Sequence, residues 1–430
     1  MSATLTFVAG APTRTYTEDE DPFLFYRVRT WWLLIALFLM AQGNGIFTPQ
    51  DKHESLKMLR QISEPSGSLL LLTAAMCVIS ATLIVTRIGS TLQLMLRQKA
   101  VLAFAVLAFL STLWSQVPLL TFRKAALLFL TMTLAWFFAN CYSPTEQIRL
   151  LLALGVIMAL ASIVWAILLP DYGIQPTGEW KGVFGQKNFL GSTMFFLFSG
   201  LPFCRISGGR RLLEFALVAI LPAGLILLSH SKTSLILTAV LLAVRFFGPL
   251  VTRTRRESIP FVLYIAGFTT VMVATSVGVI LSLLGRDLTL TGRTHEWAVI
   301  FPFALKHLWL GYGYQGFWVG TSGDSGKVIS ILGAGLNVAD NGYLDLVLQF
   351  GVLGIGLLLV VLIVCVRDFL RLLRRSSVPL VAYWYAGLIL ATLVGSVTEG
   401  MFWMPIRIIP FIFVIACAGL KSLSLENASS

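Results

Sequence analysis

The chain has 430 residues, of which 57% are hydrophobic and 12% charged, with a formal net charge of +12 and a mean hydropathy of +0.84. Soluble domains carry about 25% charged residues, so this composition excludes an ordinary soluble protein and indicates a polytopic membrane protein. The positive charge does not indicate nucleic-acid binding, because the Lys and Arg residues lie in short loops beside apolar runs, where they set membrane orientation. We therefore expect the lipid bilayer as a partner and no nucleic acid.

Residues 1–29 are polar and include the acidic run Glu18 to Asp21, which predicts a cytosolic tail and no cleavable signal peptide. Twelve apolar runs follow, and each predicts a transmembrane helix. The runs lie at about 31–47, 68–86, 100–117, 124–141, 148–169, 189–204, 212–228, 233–251, 260–284, 343–366, 380–397 and 402–420. The predicted fold is all-α, with helices 1–9 within residues 30–284, an outward loop at 285–341, helices 10–12 within 342–421 and a C-terminal tail at 422–430.

Basic clusters follow the even-numbered runs, so one side of the membrane collects them. They comprise Arg87, Arg97 and Lys99, then Arg205, Arg210 and Arg211, then Arg253, Arg255 and Arg256, and finally Arg367, Arg371, Arg374 and Arg375. The positive-inside rule assigns that side to the cytosol, together with both termini. The loops at 170–188 and 285–341 then face outward, which argues against a cytosolic nucleotide-sugar site, and no GxxxxGK[ST] phosphate loop is present.

The loop at 285–341 is the longest stretch outside the predicted spans, and we expect the chemistry of the protein there. Its segment 296–310 is apolar, but a bilayer crossing takes about 20 residues. We therefore predict a short helix that lies at the membrane interface, with Trp297 and Trp309 at headgroup level.

Several cations lie at the outward ends of the predicted spans, where a charge is costly unless it is paired or faces water. They are Arg123, Lys187, Lys232, Arg293 and Arg407. Converging on one outward cavity, they would bind an anion such as a lipid-linked diphosphate, for which Arg offers a planar fork. Three of them have a structural alternative. Arg123 could be a snorkelling anchor and Lys187 a solvated loop charge. Arg407 could pair with Glu399.

Candidates for a proton acceptor lie close to these cations. His295 is near Arg293, and His230 is near Lys232. Asp340 stands before Asn341 at the entry to the tenth span, where either residue could also cap the helix. Asp345 and Gln349 lie on about the same face further in. His307 is expected to be structural, and His53 has no supporting feature. The five cysteines show no metal-ligand spacing, so we predict no metal site and no cofactor.

Six segments together resemble the O-antigen ligase and polysaccharide polymerase superfamily, and within it the exopolysaccharide polymerases of the ExoQ type. In chain order they are LSTLWSQVPLLTFRKA, GVFGQKNFLGS, LLSHSKTSLIL, LTGRTHEW, HLWLGYGYQGFW and DNGYLDLVLQFGVLG. The resemblance implies a bacterial inner-membrane glycosyltransferase that moves a glycan on the periplasmic face from an undecaprenyl diphosphate carrier to an acceptor hydroxyl, without a metal. It implies that Lys232 and Arg293 hold the diphosphate and that Arg123 matches a further basic position.

Two residues depart from the ligase pattern. Ligases often carry Arg where Lys232 stands, and a His where Asp340 stands. Asp340 could still accept a proton from a sugar hydroxyl or orient that hydroxyl, and His295 is the alternative base. Arg293 and Lys232 are expected to stabilise the charge on the leaving group. Aromatic residues could pack on sugar faces or form an interface belt; these are Trp180, Tyr312, Tyr314, Phe317 and Trp318.

Three functions remain open from the sequence. The first is a polysaccharide polymerase that joins lipid-linked repeat units, with other polysaccharide export or chain-length proteins as potential partners. The second is a ligase that transfers finished glycan to another acceptor. The third is a transporter of lipid-linked glycan, which inverted repeats or broken helices would favour, and neither is visible in the sequence.

Overall fold

The computed structural model describes residues 23–42, 67–204, 209–252, 293–333, 338–374 and 378–425. Within these ranges the protein is helical and has no strands, as predicted, apart from an isolated bridge between Ile174 and Trp180. The helices are α1 (Phe23–Gln42), α2 (Gly67–Val85), α3 (Ile88–Arg97), α4 (Lys99–Leu110), α5 (Pro118–Cys141), α6 (Pro144–Leu168), α7 (Lys187–Phe198), α8 (Gly209–Leu228), α9 (Lys232–Thr252), α10 (Arg293–Lys306), α11 (Gly323–Leu332), α12 (Gly342–Leu373), α13 (Leu380–Gly395) and α14 (Ile408–Leu425).

Five of the described helices are long and apolar enough to cross a membrane, namely α5, α6, α9, α12 and α14. The number rises to six if α2 and α3, which are bent by 93° at residues 86–87, form one broken span. Helices α4, α8 and α13 are apolar but shorter. The chain is thus an integral membrane protein, and twelve spans stay a prediction. The ninth predicted run, at 260–284, lies outside the described residues.

The last helix begins later than the apolar run at 402–420 predicts. It starts at Ile408, and residues 396–407 form an irregular connection from α13. Pro405 explains the difference, because a proline disfavours helical backbone at the residue before it. Trp403 and Ile406 have positive φ angles of 51° and 55°. Arg407, which the apolar run at 402–420 includes, therefore directly precedes α14 and is not part of that helix.

Helix α12 is broken at Gly351, which has φ 62° and ψ −152°. The break frees backbone groups that the loop after α10 satisfies: Val352 N–H donates to Leu308 O at 2.7 Å, and Tyr312 N–H donates to Leu348 O at 2.7 Å. A Cβ at position 351 would lie 2.4 Å from the Leu308 carbonyl oxygen, so this contact requires glycine. Neither this break nor the α2–α3 bend was visible in the sequence.

A helix occupies most of the predicted interfacial segment, since α10 runs from Arg293 to Lys306. Helices α10 and α11 pack with the start of α12 around a small apolar core that includes Ile300, Tyr312, Phe317 and Leu348. Tyr314 belongs to the main core and is fully buried. Tyr312, Tyr314 and Phe317 are therefore structural, and both the sugar-platform and the interface-belt interpretations are wrong for these three residues.

Candidate functional site

Arg293 binds two carboxylates that come from distant parts of the chain. Its Nη2 atom lies 3.3 Å from Asp340 Oδ2 and 3.3 Å from Glu399 Oε1. The two acids therefore share one nitrogen, and their oxygens are at most about 6.6 Å apart. The side chain of Glu399 is 9% exposed and that of Asp340 is 32% exposed. Arg293 and Asp340, both predicted as site residues from the sequence, are thus in contact in the structure.

Hydrogen bonds of the preceding residue, Ala339, fix the backbone conformation at Asp340. The Ala339 N–H donates to the Asp345 carboxylate at 3.1 Å, and the Ala339 carbonyl accepts from Trp297 Nε1 at 2.9 Å. Asp345 also accepts from Trp318 Nε1 at 3.2 Å. This frame holds Asp340 at φ 46°, a conformation in which Asp and Asn are enriched. Asp345, predicted as a candidate because it lies inside a span, thus positions the turn that carries Asp340.

The helix cap is Asn341. Its side-chain oxygen accepts from the backbone N–H groups of Tyr343 and Leu344, each at 3.0 Å. The sequence left Asp340 and Asn341 open as caps, and the structure decides between them. The carboxylate of Asp340 is therefore not engaged with the helix N-terminus and is directed to Arg293.

Glu399 lies in the irregular segment between α13 and α14, and this segment also contacts the start of α9. The Thr233 and Thr398 hydroxyls lie 2.9 Å apart, and Thr233 is close enough to Glu399 to lower the pKa of its carboxyl group. Lys232, the first residue of α9, directly precedes Thr233. The start of α9, the start of α10, the entry to α12 and the segment before α14 thus meet around Arg293.

Burial disfavours negative charge in this cluster. It raises the pKa of Glu399 to about 7, against the lowering effect of Arg293. Burial likewise raises the pKa of Asp340, again opposed by Arg293. Glu296, one turn after Arg293 on α10, also has a raised pKa from burial and from the Asp340 charge. Its Oε2 atom is buried without a hydrogen-bond partner within the described part of the chain. A cluster with this excess of acids over the one bound arginine can accept a proton near neutral pH.

The predicted histidines are placed differently from Asp340. His295 is exposed on α10, although its charge influences the adjacent Glu296. His230 is exposed in the tight turn between α8 and α9, where its φ is 51°. His307 packs on the Tyr312 ring at 4.3 Å, in line with its predicted structural role. His53 lies outside the described residues.

A second group of cations surrounds the base of α14. The Arg407 guanidinium lies 4.6 Å from the centre of the Phe189 ring. The positive charges of Arg407 and Arg123 both act on the Lys124 ammonium group, which is half-buried, whereas Arg123 is exposed. No carboxylate among the described residues forms an ion pair with Arg407 or Lys124. The alternative pairing of Arg407 with Glu399 is absent there, because Glu399 binds Arg293.

Lys187 is paired, at the start of α7. Its Nζ lies 2.8 Å from Glu179 Oε1, and this hydrogen bond lowers the pKa of Glu179 to about 2. Helix α7 nevertheless packs closely on the turn before α9, since a Cβ on Gly191 would lie 2.6 Å from Ser231 Cβ. Within the described residues, Lys187 forms its ion pair with Glu179 and has no contact with the Arg293 cluster.

Three residues of the two clusters were not predicted as site residues. Glu399 had a detectable signal, because an acid between two apolar runs is a functional candidate by default. Lys124 had a weaker signal, since it stands next to Arg123 and the sequence does not show which of the two turns inward. Glu296 also had a signal, because it lies three residues after Arg293 and this spacing places two side chains on one helix face.

Comparison with known proteins agrees with the family resemblance of the six segments. Residues 217–359, about a third of the chain, match the model of a family described as O-antigen ligase. The matched stretch contains Lys232, Arg293 and Asp340 and ends before Glu399 and Arg407. The class that fold and match indicate is thus an integral membrane protein with a segment similar to the O-antigen ligase family.

The chain is also similar to a bacterial exopolysaccharide production protein. The chain is 26% identical over 298 residues to the exopolysaccharide production protein ExoQ of Rhizobium meliloti (strain 1021). The alignment covers 65% of this chain and 67% of that protein. The resemblance that the sequence motifs indicated is therefore confirmed.

Proposed function

We propose that this protein is a polysaccharide polymerase that joins oligosaccharide repeat units carried on undecaprenyl diphosphate, for exopolysaccharide synthesis. The observation that carries the proposal is the bridge of Arg293 to Asp340 and Glu399. It combines a phosphate-binding group with a proton acceptor in one buried cluster. The matches to the O-antigen ligase family and to an exopolysaccharide production protein support the same class of chemistry.

The reaction we propose is an inverting displacement at the anomeric carbon of the growing glycan. A hydroxyl oxygen of the acceptor sugar forms a bond to that carbon, while the bond from the carbon to the diphosphate oxygen breaks. The hydroxyl proton passes to Asp340, and the bonding electron pair leaves with the lipid diphosphate. The products are a longer lipid-linked glycan and free undecaprenyl diphosphate.

Arg293 has donors for both tasks. The two carboxylates occupy Nη2, and the guanidinium has five N–H donors in all, so the donors on Nη1 and Nε can face phosphate oxygens. Charge that develops on the leaving oxygen is then stabilised by a group already fixed in place, which lowers the barrier. Lys232 would add a second positive charge from the start of α9. No metal takes part in this proposal.

Asp340 is our first choice for the base, and His295 is the alternative. Asp340 contacts Arg293 directly and has a raised pKa, as a base working near neutral pH requires. His295 is on the same helix as Arg293 but is exposed. Glu399 completes the pair of acids and keeps Arg293 in position.

The basic group at α14 is the proposed extension of the diphosphate site. Arg407 and Lys124 lack carboxylate partners within the described residues, so an anionic ligand would compensate charges that the protein leaves unbalanced. Arg123 and Lys187 stay proposed contributors, Arg123 from the outer edge and Lys187 after release from Glu179.

The proposed membrane arrangement has twelve spans with both termini in the cytosol of a bacterial cell, so the Arg293 cluster faces the periplasm. The divisions at residues 29, 284, 341 and 421 belong to this proposal. Other polysaccharide export or chain-length proteins are the proposed partners. The positive-inside pattern of the loops supports this orientation.

A ligase that transfers finished glycan to another acceptor is the alternative within the same chemistry, and the family match supports it equally. Cells lacking a polymerase make single repeat units, whereas cells lacking a ligase accumulate long lipid-linked chains. A transporter without bond chemistry is the second alternative. The broken helices α2–α3 and α12 favour it more than the sequence did, although the outer loop satisfies the break in α12.

The test is a reaction of purified protein with an undecaprenyl-diphosphate-linked oligosaccharide in the presence of EDTA. We expect longer lipid-linked glycans together with one free undecaprenyl diphosphate molecule for each new glycosidic bond. In the same assay with the protein in lipid vesicles, substrate that keeps its length but moves across the membrane would contradict the enzyme hypothesis and support the transporter hypothesis. Loss of the reaction in EDTA, with recovery on adding a divalent cation, would contradict the metal-independent mechanism.

A further inference from the structure

A groove runs along the last turns of α12, at the end of the helix opposite to Asp340. It has a volume of about 560 Å³. Its lining residues are Leu359, Leu362, Ile363, Val366, Arg367, Leu370, Arg371 and Arg374. The lining is apolar toward the middle of the helix and mainly basic toward its end, where Leu370 lies among the arginines.

The apolar part of the groove is open to the surroundings of the helix. Leu359, Ile363 and Val366 are 54%, 66% and 52% exposed, although they lie on one stripe at helical spacing. The unbroken part of α12 after Gly351, residues 352–373, is about 33 Å long, close to the thickness of the hydrocarbon core. This stripe therefore faces acyl chains and ends where the helix approaches the headgroups.

The basic part of the groove has a built-in anchor. Asp368 is 2% exposed, and its Oδ1 accepts from Arg367 Nη2 and from Arg371 Nη1, each at 3.3 Å. Lys421 of α14 lies 3.6 Å from Asp368 Oδ2. One carboxylate thus holds three cations, and Arg374 adds a fourth positive charge nearby. Within the part of the chain that the structure describes, these positive charges exceed the negative charge that balances them.

The two anchored arginines can still bind a ligand. The side chains of Arg367 and Arg371 are each 48% exposed, and Asp368 engages one edge of each guanidinium. Fixing the guanidinium groups reduces the side-chain entropy that a ligand would otherwise have to remove. The remaining N–H donors suit the oxygens of a phosphodiester, with which arginine forms short, charge-assisted hydrogen bonds.

We propose that this groove is a binding site for an anionic glycerophospholipid. Its phosphate lies among Arg367, Arg371 and Arg374, and one acyl chain lies along Leu359, Ile363 and Val366. Charge complementarity identifies the occupant, because an anionic headgroup balances the excess cations whereas a zwitterionic headgroup brings its own positive charge. The site is separate from the Arg293 cluster and does not depend on the proposed reaction.

The experiment is native mass spectrometry of the full-length protein in detergent, with phosphatidylglycerol or phosphatidylcholine added. We expect phosphatidylglycerol to be retained at least about tenfold more tightly than phosphatidylcholine, from the contribution of each basic residue near a headgroup. Arg374→Gln leaves the Asp368 ion pairs intact and should reduce this preference severalfold. Ile363→Trp fills the apolar part and should reduce retention of phosphatidylglycerol while the basic residues remain. Arg97→Gln, at an exposed arginine on α3, is the matched control and should change neither result.

Three outcomes would overturn the proposal. The first is equal retention of the two lipids by the wild-type protein. The second is unchanged retention of phosphatidylglycerol in both groove variants, with each variant folded as judged by its melting temperature. The third is displacement of phosphatidylglycerol by equimolar inorganic phosphate, which would show that the arginines bind a soluble anion and that the apolar part contributes nothing.

Discussion

Arg293 and Glu399, 106 residues apart in the chain, form an ion pair in which Nη2 of the arginine lies 3.3 Å from Oε1 of the glutamate. This pair joins helix α10 to the connection between the last two helices. Because Asp340 binds the same nitrogen, the arginine is fixed from two sides before a substrate arrives. Such preorganisation lets a charge stabilise a transition state without reorganising at the moment of reaction.

Replacement of Arg293 by lysine tests whether its fork is used. Arg293→Lys keeps one positive charge but cannot bind two carboxylates and a phosphate group together, so we expect loss of most polymer-forming activity. The protein should still accumulate in the membrane. Turnover of lipid-linked oligosaccharide measures the effect, with Arg97→Lys as the control on an exposed arginine. Near-normal turnover in Arg293→Lys would reduce Arg293 to a structural residue.

Asp340→Asn separates proton transfer from backbone conformation. Asparagine also accepts a positive φ angle, and the cap of α12 is Asn341, so we expect little change in melting temperature. Turnover should fall by roughly 10²–10⁴, the usual effect of losing a general base. Asp340→His should retain part of the activity, since histidine can accept a proton.

The matched control for this variant is Asn341→Ala, which removes the cap and should cost about 1 kcal/mol of stability with a much smaller effect on turnover. Full activity of Asp340→Asn would move the search for the base to His295.

The raised pKa of Glu399 predicts that the stability of the folded protein depends on pH. Its pKa is raised by burial from the ordinary 4.5 to about 7, so the folded protein holds this proton more tightly than the unfolded chain does. The stabilisation is complete below about pH 4.5 and is lost as the pH rises through about 7, by up to about 3 kcal/mol. Glu399→Gln, which stays neutral, should flatten the melting temperature between pH 5 and pH 8. Parallel curves for the two proteins would contradict the shift.

Substitutions of the neighbouring cations Arg123 and Lys124 should differ in their effect on the KM for lipid-linked oligosaccharide. Lys124 is half-buried beside Arg407, whereas Arg123 is exposed, so we expect Lys124→Gln to raise the KM for lipid-linked oligosaccharide more than Arg123→Gln does. Arg407→Lys should also raise the KM, because a lysine lacks the planar fork. A larger effect at Arg123 would show that the outer edge binds the diphosphate and that the inward group is structural.

Cysteine labelling tests the proposed orientation. In a variant without the five native cysteines, Ser322→Cys should react with a membrane-impermeant thiol reagent in intact spheroplasts, and Arg374→Cys should not. Both positions are exposed on the protein, so burial does not limit the reaction. The reverse pattern of labelling would place the Arg293 cluster on the cytosolic side.

The sequence by itself determined the membrane class, the all-α fold, most of the helices and the family resemblance. These properties follow from composition and from apolar runs, which are local along the chain. It also indicated Arg293 and Asp340 as candidate site residues, because a charge in an apolar chain has a high cost and is therefore conspicuous. Local reasoning failed at the start of α14, where Pro405 delays the helix.

The tertiary structure alone decided which charges meet. Nothing local relates Arg293 to Glu399, since their contact depends on how α10, α12 and the segment before α14 pack together. Adjacent residues on a helix point about 100° apart, so packing also decides that Lys124 turns inward and Arg123 outward. Packing likewise buried Tyr312, Tyr314 and Phe317, whose aromatic side chains suit a core as well as a sugar. The chemical type of each side chain is known from the sequence, but its partner depends on the contacts that the folded chain forms.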